Sequence, residues 1–294
     1  MYVHNLISTL PQGDRLHGYK PAVKVTQLDT RPDQSLRRAI LGLLLFAGLL
    51  LSFAAATGNA YAEEITNFNQ ITTGWQLCTG PSCAGGSGNP TCEIQKFDIS
   101  SPSLDGKSME LQLCGPAYSN NGWYYDTGAQ DSDTNFTLNL QYYVASTTDI
   151  QALEFDQFQY LHAGDGGVTK NTRLYFGTQC VTGGDWWVWD SSGLGWRDTK
   201  KACSYKLAAF NHLIIAVHRI SGDTSCASGY PCMYYDITLN GTNLVTNQKT
   251  NAGALPSGWG EQTGLMLQLD TNKTCGSGCT VTEYIDEGDF TLTN

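Results

Sequence analysis

Glu154 and Asp156 stand two apart in residues 153–161, which read Leu-Glu-Phe-Asp-Gln-Phe-Gln-Tyr-Leu. The alternation is that of a β-strand, so Glu154, Asp156 and Phe158 share one face while Phe155, Gln157 and Gln159 share the other. Two carboxylates on one face of an aromatic strand repel each other and lose solvation if the face is covered, which raises their pKa values. Such a pair sits at a cleft, holds a cation, or points into water.

A second group is Trp186-Trp187-Val188-Trp189-Asp190, followed by Trp196. On a strand, Trp187 and Trp189 face one way and Trp186 and Val188 the other. Flat indole faces stack on the C–H faces of sugar rings, and sandwich cores also bury Trp for its large apolar area. One face is expected in the core and the other is a candidate platform, with Trp196 beside it. Asp126, Asp131 and Asp133, and separately Asp286 and Asp289 with Glu287, are acidic clusters in loop-like contexts. Oxygen ligands of this kind suit Ca²⁺, although clustered surface acids are commonly just solvated and neither group fits an EF-hand. No cofactor is required, and Ca²⁺ remains possible. No nucleophile elbow, zinc-protease motif or phosphate-binding loop occurs. His212 and His218 lie about 20 Å apart along a strand, too far to share an ion, so structural roles are expected.

The elements that position these residues are short β-rich runs between Gly, Asn, Asp and Ser, at residues 137–144, 153–161, 173–179, 186–190, 212–220, 233–239, 264–270 and 280–286. This spacing predicts an all-β antiparallel sandwich or jelly roll. Asn240-Gly241 predicts a tight hairpin, and the apolar run at 211–219 predicts a central strand buried on both faces.

Residues 39–56 form an uncharged apolar run behind Arg37-Arg38, closing at Ala60-Tyr61-Ala62. Residues 1–62 therefore read as a leader with a secretory signal peptide and 63–294 as one sandwich domain. The run is also about long enough to span a bilayer, so a membrane partner arises only if the segment stays uncleaved. A secreted, extracellular or periplasmic location follows. Of 17 Lys and Arg and 27 Asp and Glu, the first 62 residues hold six and three, which leaves 11 and 24 and a net charge near −13. That balance excludes nucleic acid and anionic membranes, which need clustered Lys and Arg, and leaves neutral glycans open.

All ten cysteines follow the leader, in an even number and without a C-x-x-C pair. They read as disulfides that staple loops, and zinc is not expected. Cys226–Cys232 and Cys275–Cys279 would close short loops and Cys180–Cys203 would bracket the Trp-rich segment. Cys78, Cys83, Cys92 and Cys114 permit three pairings.

Three stretches make the chain similar to the concanavalin A-like lectin and glucanase sandwiches. Residues 151–156 (Gln-Ala-Leu-Glu-Phe-Asp) resemble the legume-lectin strand whose Glu and Asp hold metal ions, and equally the E-x-D-x-x-E strand of laminarinase- and lichenase-type hydrolases. Residues 212–219 resemble the central His-containing strand, and Tyr284-Ile285-Asp286 to Phe290-Thr291-Leu292 the closing strand. The resemblance covers about residues 137–294 and implies a jelly roll with a ligand-binding concave sheet. It makes Glu154 the nucleophile of a hydrolase, Asp156 its tuning partner and position 159 the acid/base. Gln159 departs there, because an amide donates no proton to a leaving group. The lectin metal set also lacks clean counterparts, with only His162 and Asp165 downstream.

Three functions follow. The first is a secreted, lectin-like, non-catalytic protein that binds a polysaccharide or other neutral glycan through Glu154, Asp156, Trp187, Trp189 and Trp196. The second is a glycoside hydrolase or polysaccharide lyase with a diverged acid/base, its catalytic candidates Glu154, Asp156 and Gln159. The third is an extracellular adhesion or envelope protein with no glycan role.

Overall fold

The computed structural model describes residues 62–79 and 86–294, apart from 194, 221, 224, 227, 228 and 277. The apolar run at 39–56, the leader up to residue 61 and Cys83 lie outside the described residues. In chain order the first strands are β1 (Glu63–Ile65), β2 (Trp75–Thr79), β3 (Cys92–Ile99), β4 (Ser108–Gly115), β5 (Asn120–Gly128), β6 (Asn135–Tyr143), β7 (Ile150–Leu161), β8 (Thr172–Phe176) and β9 (Thr178–Val181). They continue with β10 (Asp185–Asp190), β11 (Gly195–Ala202), β12 (Phe210–Arg219), β13 (Cys232–Leu239), β14 (Thr242–Asn251), β15 (Gly253–Ala254), β16 (Gln262–Thr271) and β17 (Cys279–Thr293).

The strands form two antiparallel sheets. One runs β14-β13-β12-β6-β17-β4-β3, with β1 on β17; the other runs β11-β10-β9-β7-β16-β5-β2, with β8 on β7 and β15 on β8. Successive strands β4, β5, β6 and β7 alternate between the sheets, as do β16 and β17, which is jelly-roll connectivity. The cause is visible in the burial pattern. β6 alternates strictly, with Phe136, Leu138, Leu140 and Tyr142 buried, and those side chains can leave water only against a second sheet.

The core between the sheets takes Leu153, Phe155 and Leu161 from β7, Trp186 and Val188 from β10, and Leu265, Leu267 and Leu269 from β16. Within 186–189 Trp186 is thus the core indole, alongside Trp123 from β5, and Trp187 and Trp189 are left half-buried on the outer face. The reading of residues 211–219 as buried on both faces is corrected. Leu213, Ile215 and Val217 enter the core, whereas Ile214, Ala216 and His218 stay half-buried on the outside of an interior strand. His212 Nε2 meets Asn139 Oδ1 at 2.7 Å, and His218 stacks on Tyr234 at 4.7 Å, so both have structural partners.

Asn240 and Gly241 join β13 to β14 with φ of 50° and 76°, the left-handed pair of a tight hairpin. Disulfides join Cys92–Cys114, Cys180–Cys203, Cys226–Cys232 and Cys275–Cys279. The first narrows the alternatives left open among the four N-terminal cysteines. No helix among the described residues is long and apolar enough to cross a membrane.

Candidate functional site

β7 runs in unbroken register against β16 from Tyr160 back to Ala152, so the alternation that separates its two faces never slips. Glu154 pairs with Gln179 on β9 and Gln268 on β16, and Gln179 pairs in turn with Trp187 on β10. Directly paired residues share a face, which puts Trp187, Gln179, Glu154 and Gln268 in one row across the outer surface of the nine-stranded sheet. Asp156 lies in the next row, opposite Met266, itself opposite Tyr124. Asp270 lies opposite Ala152 on the other side.

Three carboxyl groups therefore form the floor of this face. Gln179 Nε2 donates to Glu154 Oε1 at 2.7 Å and to Asp270 Oδ2 at 3.4 Å, and Gln268 Nε2 donates to Asp270 Oδ1 at 3.1 Å. A side-chain hydrogen bond also links Glu154 to Asp270. The Tyr175 hydroxyl donates to Asp156 Oδ2, and the Thr178 backbone N–H donates to Asp156 Oδ1 at 2.9 Å.

All three acids are buried, and burial is the main cause of their raised pKa values. Desolvation, then the charges of Asp270 and Asp156, hold the Glu154 carboxyl well above its usual range. Burial lifts Asp156 to about 7 against the opposing bonds from Tyr175 and Thr178. Asp270 rises to about 6, its shift limited by the bonds from Glu154, Gln268 and Gln179. Both carboxyls are raised by burial and bonded to each other, so the pair shares a proton that one acid alone in water would release.

Two aromatic groups adjoin this floor and share Tyr175, the direct cross-strand partner of Phe158. In the first, Tyr175, Trp189 and Trp196 meet edge to face, at 6.2 Å for Tyr175–Trp189 and 5.2 Å for Trp189–Trp196. Their room comes from Gly177, where a Cβ would lie 2.9 Å from the Tyr175 ring, 3.0 Å from Trp189 Cβ and 3.1 Å from the Trp196 ring. The hairpin that carries Trp189 and Trp196 is locked by Asp190, which accepts from Arg197 Nε at 3.1 Å and Nη2 at 3.0 Å. In the second, Phe158, Tyr160 and Leu255 make a buried apolar cluster separate from the core, packed by Tyr124, Tyr175 and Trp259.

Gln159 does not belong to this face. It points between the sheets, where its Nε2 donates to Gln130 O at 2.7 Å and Asp133 O at 3.0 Å, while its Oε1 accepts from Arg219 Nε at 2.7 Å. Without a bulge in β7 the sixth position of the motif faces away from the first, so Gln159 cannot stand where the resemblance put the acid/base.

Of the five aspartates considered for calcium, Asp126, Asp286 and Asp289 use a carboxylate oxygen to hold a backbone N–H, whereas Asp131 and Asp133 are held through their backbone carbonyls. Asp126 Oδ1 caps its own turn at Gly128 N, 2.8 Å away. The carbonyls of Asp131 and Asp133 accept from Arg219 Nη2 at 2.9 and 3.1 Å. Asp286 Oδ2 holds the 103–104 turn through Ser103 Oγ at 2.8 Å and Leu104 N at 2.5 Å, and Asp289 Oδ1 accepts from Asn67 N at 2.9 Å. Among the described residues none of the five falls in a cluster of three mutually close donor atoms.

Asp270, Gln179, Gln268, Tyr175 and Tyr124 are floor and rim residues that the sequence does not announce. Each lies on a strand other than β7, and only the pairing register brings them together. The alternation of residues 264–270 would place Asp270 on a face, but not beside Glu154.

The layout of the two sheets is that of an antiparallel jelly-roll sandwich. Solved structures similar to the chain include peanut lectin with a 9mer peptide, at a TM-score of 0.41 and 9% identity over 80% of this chain and 97% of that one. A carbohydrate-binding module of the β-sandwich superfamily has a TM-score of 0.37 and 10% identity over 79% of this chain, which spans 61% of that one. An alginate lyase from Chlorella virus has a TM-score of 0.36 and 10% identity, over 71% and 94% of the two chains. No family model and no curated protein matches the sequence. Likeness at these scores assigns no activity.

Proposed function

We propose that the outer face of the nine-stranded sheet binds a neutral glycan, and that the protein acts as a carbohydrate-binding, lectin-like module. The observation that carries this is the half-buried aromatic group Tyr175/Trp189/Trp196 beside a hydrogen-bonded polar floor, with the buried Phe158 and Tyr160 backing Tyr175 and Trp259. Rings of this kind offer apolar faces for pyranose C–H groups, and the half-buried Trp187, Trp189 and Trp196 remain accessible to a ligand. The acidic balance of residues 63–294 disfavours polyanionic glycans.

Binding without cleavage is favoured by the state of the floor. Both oxygens of Asp156 are taken by Tyr175 and Thr178, and Glu154 and Asp270 are bonded to each other. A hydrolase needs a carboxyl within reach of the glycosidic oxygen, whereas these are sealed beneath side chains. The floor accordingly sets the positions of the rings, and the rings contact the sugar.

Tryptophan fluorescence during titration with soluble oligosaccharides of neutral glucans, mannans, xylans and galactans tests this. Saturable quenching by one class is expected, lost in Trp189→Ala. Equal affinity in Trp187→Ala, Trp189→Ala and Trp196→Ala would remove the aromatic contacts from the site.

A further inference from the structure

We propose that His162, Asp165 and Glu261 form a site for one divalent transition-metal ion, of the zinc or cobalt kind, at the rim of the sheet. The three lie on separate turns. His162 follows the end of β7, Asp165 opens the Asp165–Gly167 turn, and Glu261 immediately precedes β16. One donor atom from each lies within 4.8 Å of the others, and His162 Nδ1 is 3.3 Å from Glu261 Oε1. Donors held at about 2.0–2.2 Å around a tetrahedral ion are themselves about 3.3 Å apart.

The imidazole is already oriented for such a role. Its Nε2 lies 3.3 Å from the carbonyl oxygen of Trp259, which can only accept, so Nε2 carries the hydrogen. That leaves Nδ1 to face Glu261. A histidine whose far nitrogen is anchored on a backbone carbonyl presents its near lone pair in a fixed direction, as metal-bound histidines do.

The carboxylates point the same way. Glu261 and Asp165 are linked by a side-chain hydrogen bond, with the charge of Asp131 close by. Asp131 Oδ1 is itself buried without a hydrogen-bond partner. Arg219 holds this loop beside the Asp165–Gly167 turn through the carbonyls of Asp131, at 2.9 Å, and Gly166, at 2.7 Å. Acidic oxygens are thus gathered next to one imidazole, with side-chain exposure of 45% at His162 and 25% at Glu261 leaving the site open to an ion.

The counts of cysteine and histidine argue against zinc only if sulfur or several imidazoles must supply the ligands. One imidazole with a carboxylate three residues on and another from a distant segment is a mixed donor set suited to zinc, cobalt or nickel, whereas all-oxygen sites suit calcium. A bound ion would tie residues 259–261 to the end of β7. Trp259, packed on Tyr160 at 5.2 Å, would be fixed with it. The ion site stands whether or not the face binds sugar.

Isothermal titration of the full, chelator-treated chain with ZnCl₂, and absorption spectra with CoCl₂, test this. One ion per chain is expected, with cobalt bands of a low-coordinate site, and His162→Ala and Glu261→Gln should each weaken binding by about tenfold or more. His212→Ala should bind as the parent does. No binding by the parent at up to about millimolar metal would overturn the proposal, as would undiminished binding by both His162→Ala and Glu261→Gln. Tighter binding of CaCl₂ than of ZnCl₂ would overturn the transition-metal assignment. Unchanged circular dichroism of the metal-free variants separates lost ligands from lost fold.

Discussion

Asp156 gives the molecule an inverted pH dependence of stability. An exposed aspartate titrates near 3.8, and burial raises Asp156 to about 7. Between those values the folded chain keeps a proton that the unfolded chain has released, so stability falls as pH rises. The contribution is complete below about pH 4 and is lost as pH climbs through about 7. A shift of about three units is worth roughly 4 kcal/mol in all, and about 3 kcal/mol of it disappears between about pH 5 and pH 8. Asp270, raised to about 6, and Glu283, pushed up by burial alone, act in the same direction, so the parent slope is a sum. Asp156→Asn isolates one part of it. The amide keeps the size of the side chain, can still accept from Thr178 N, and carries no proton equilibrium. Equilibrium unfolding in guanidinium at about pH 5 and about pH 8, followed by tryptophan fluorescence, should show the parent losing more stability than Asp156→Asn. The difference should be on the order of 2–3 kcal/mol. Parallel losses in the two proteins would mean that Asp156 titrates like a solvated acid, and that the aromatic side chains do not seal the floor.

Two more substitutions probe the geometry. Gln159→Glu removes the donor that serves Gln130 O and Asp133 O and sets an acceptor against both. It should cost about 2–4 kcal/mol in denaturant unfolding and yield no hydrolysis of any polysaccharide in a reducing-sugar assay. Gly177→Val places methyl groups where Tyr175, Trp189 and Trp196 already approach a missing Cβ within 2.9–3.1 Å. It should reduce the near-ultraviolet circular dichroism of these rings and weaken glycan binding by about tenfold, while the unfolding transition stays cooperative.

Much of this arrangement is legible in the residues. The alternation at 153–161 correctly separates the Glu154 face from the Gln159 face, and the alternation at 186–189 separates the core Trp186 from Trp187 and Trp189. Both succeed because a half-buried strand has a two-residue period that local sequence displays. Cys180–Cys203, Cys226–Cys232 and Cys275–Cys279 were legible from chain proximity. The resemblance misled at Gln159, since a motif of spaced letters does not say whether a bulge returns its last residue to the first face. β4 and β5 gave little signal, yet they lie beside β17 and β16 in the interiors of the two sheets. In β5 the polar and glycine residues Asn120, Asn121 and Gly122 obscure the period, whereas in β4 Met109, Leu111 and Leu113 alternate with Glu110 and Gln112 over a stretch too short to stand out. Asp270 and Gln179 were invisible for a different reason. Their role depends on which strands pair and in what register, and no local pattern specifies a partner on another strand, whether 25 residues away as for Gln179 and Glu154 or more distant as for Asp270.

The most direct test of glycan binding by this face is native electrophoresis through gels cast with neutral polysaccharides, run with the parent and Trp189→Ala side by side. The parent should be retarded in at least one gel and Trp189→Ala should run as in the polymer-free control, with the polymer intact behind both bands. Equal mobility of the two proteins in every gel would contradict glycan binding by the aromatic face. A cleared track behind the parent would contradict the absence of cleavage.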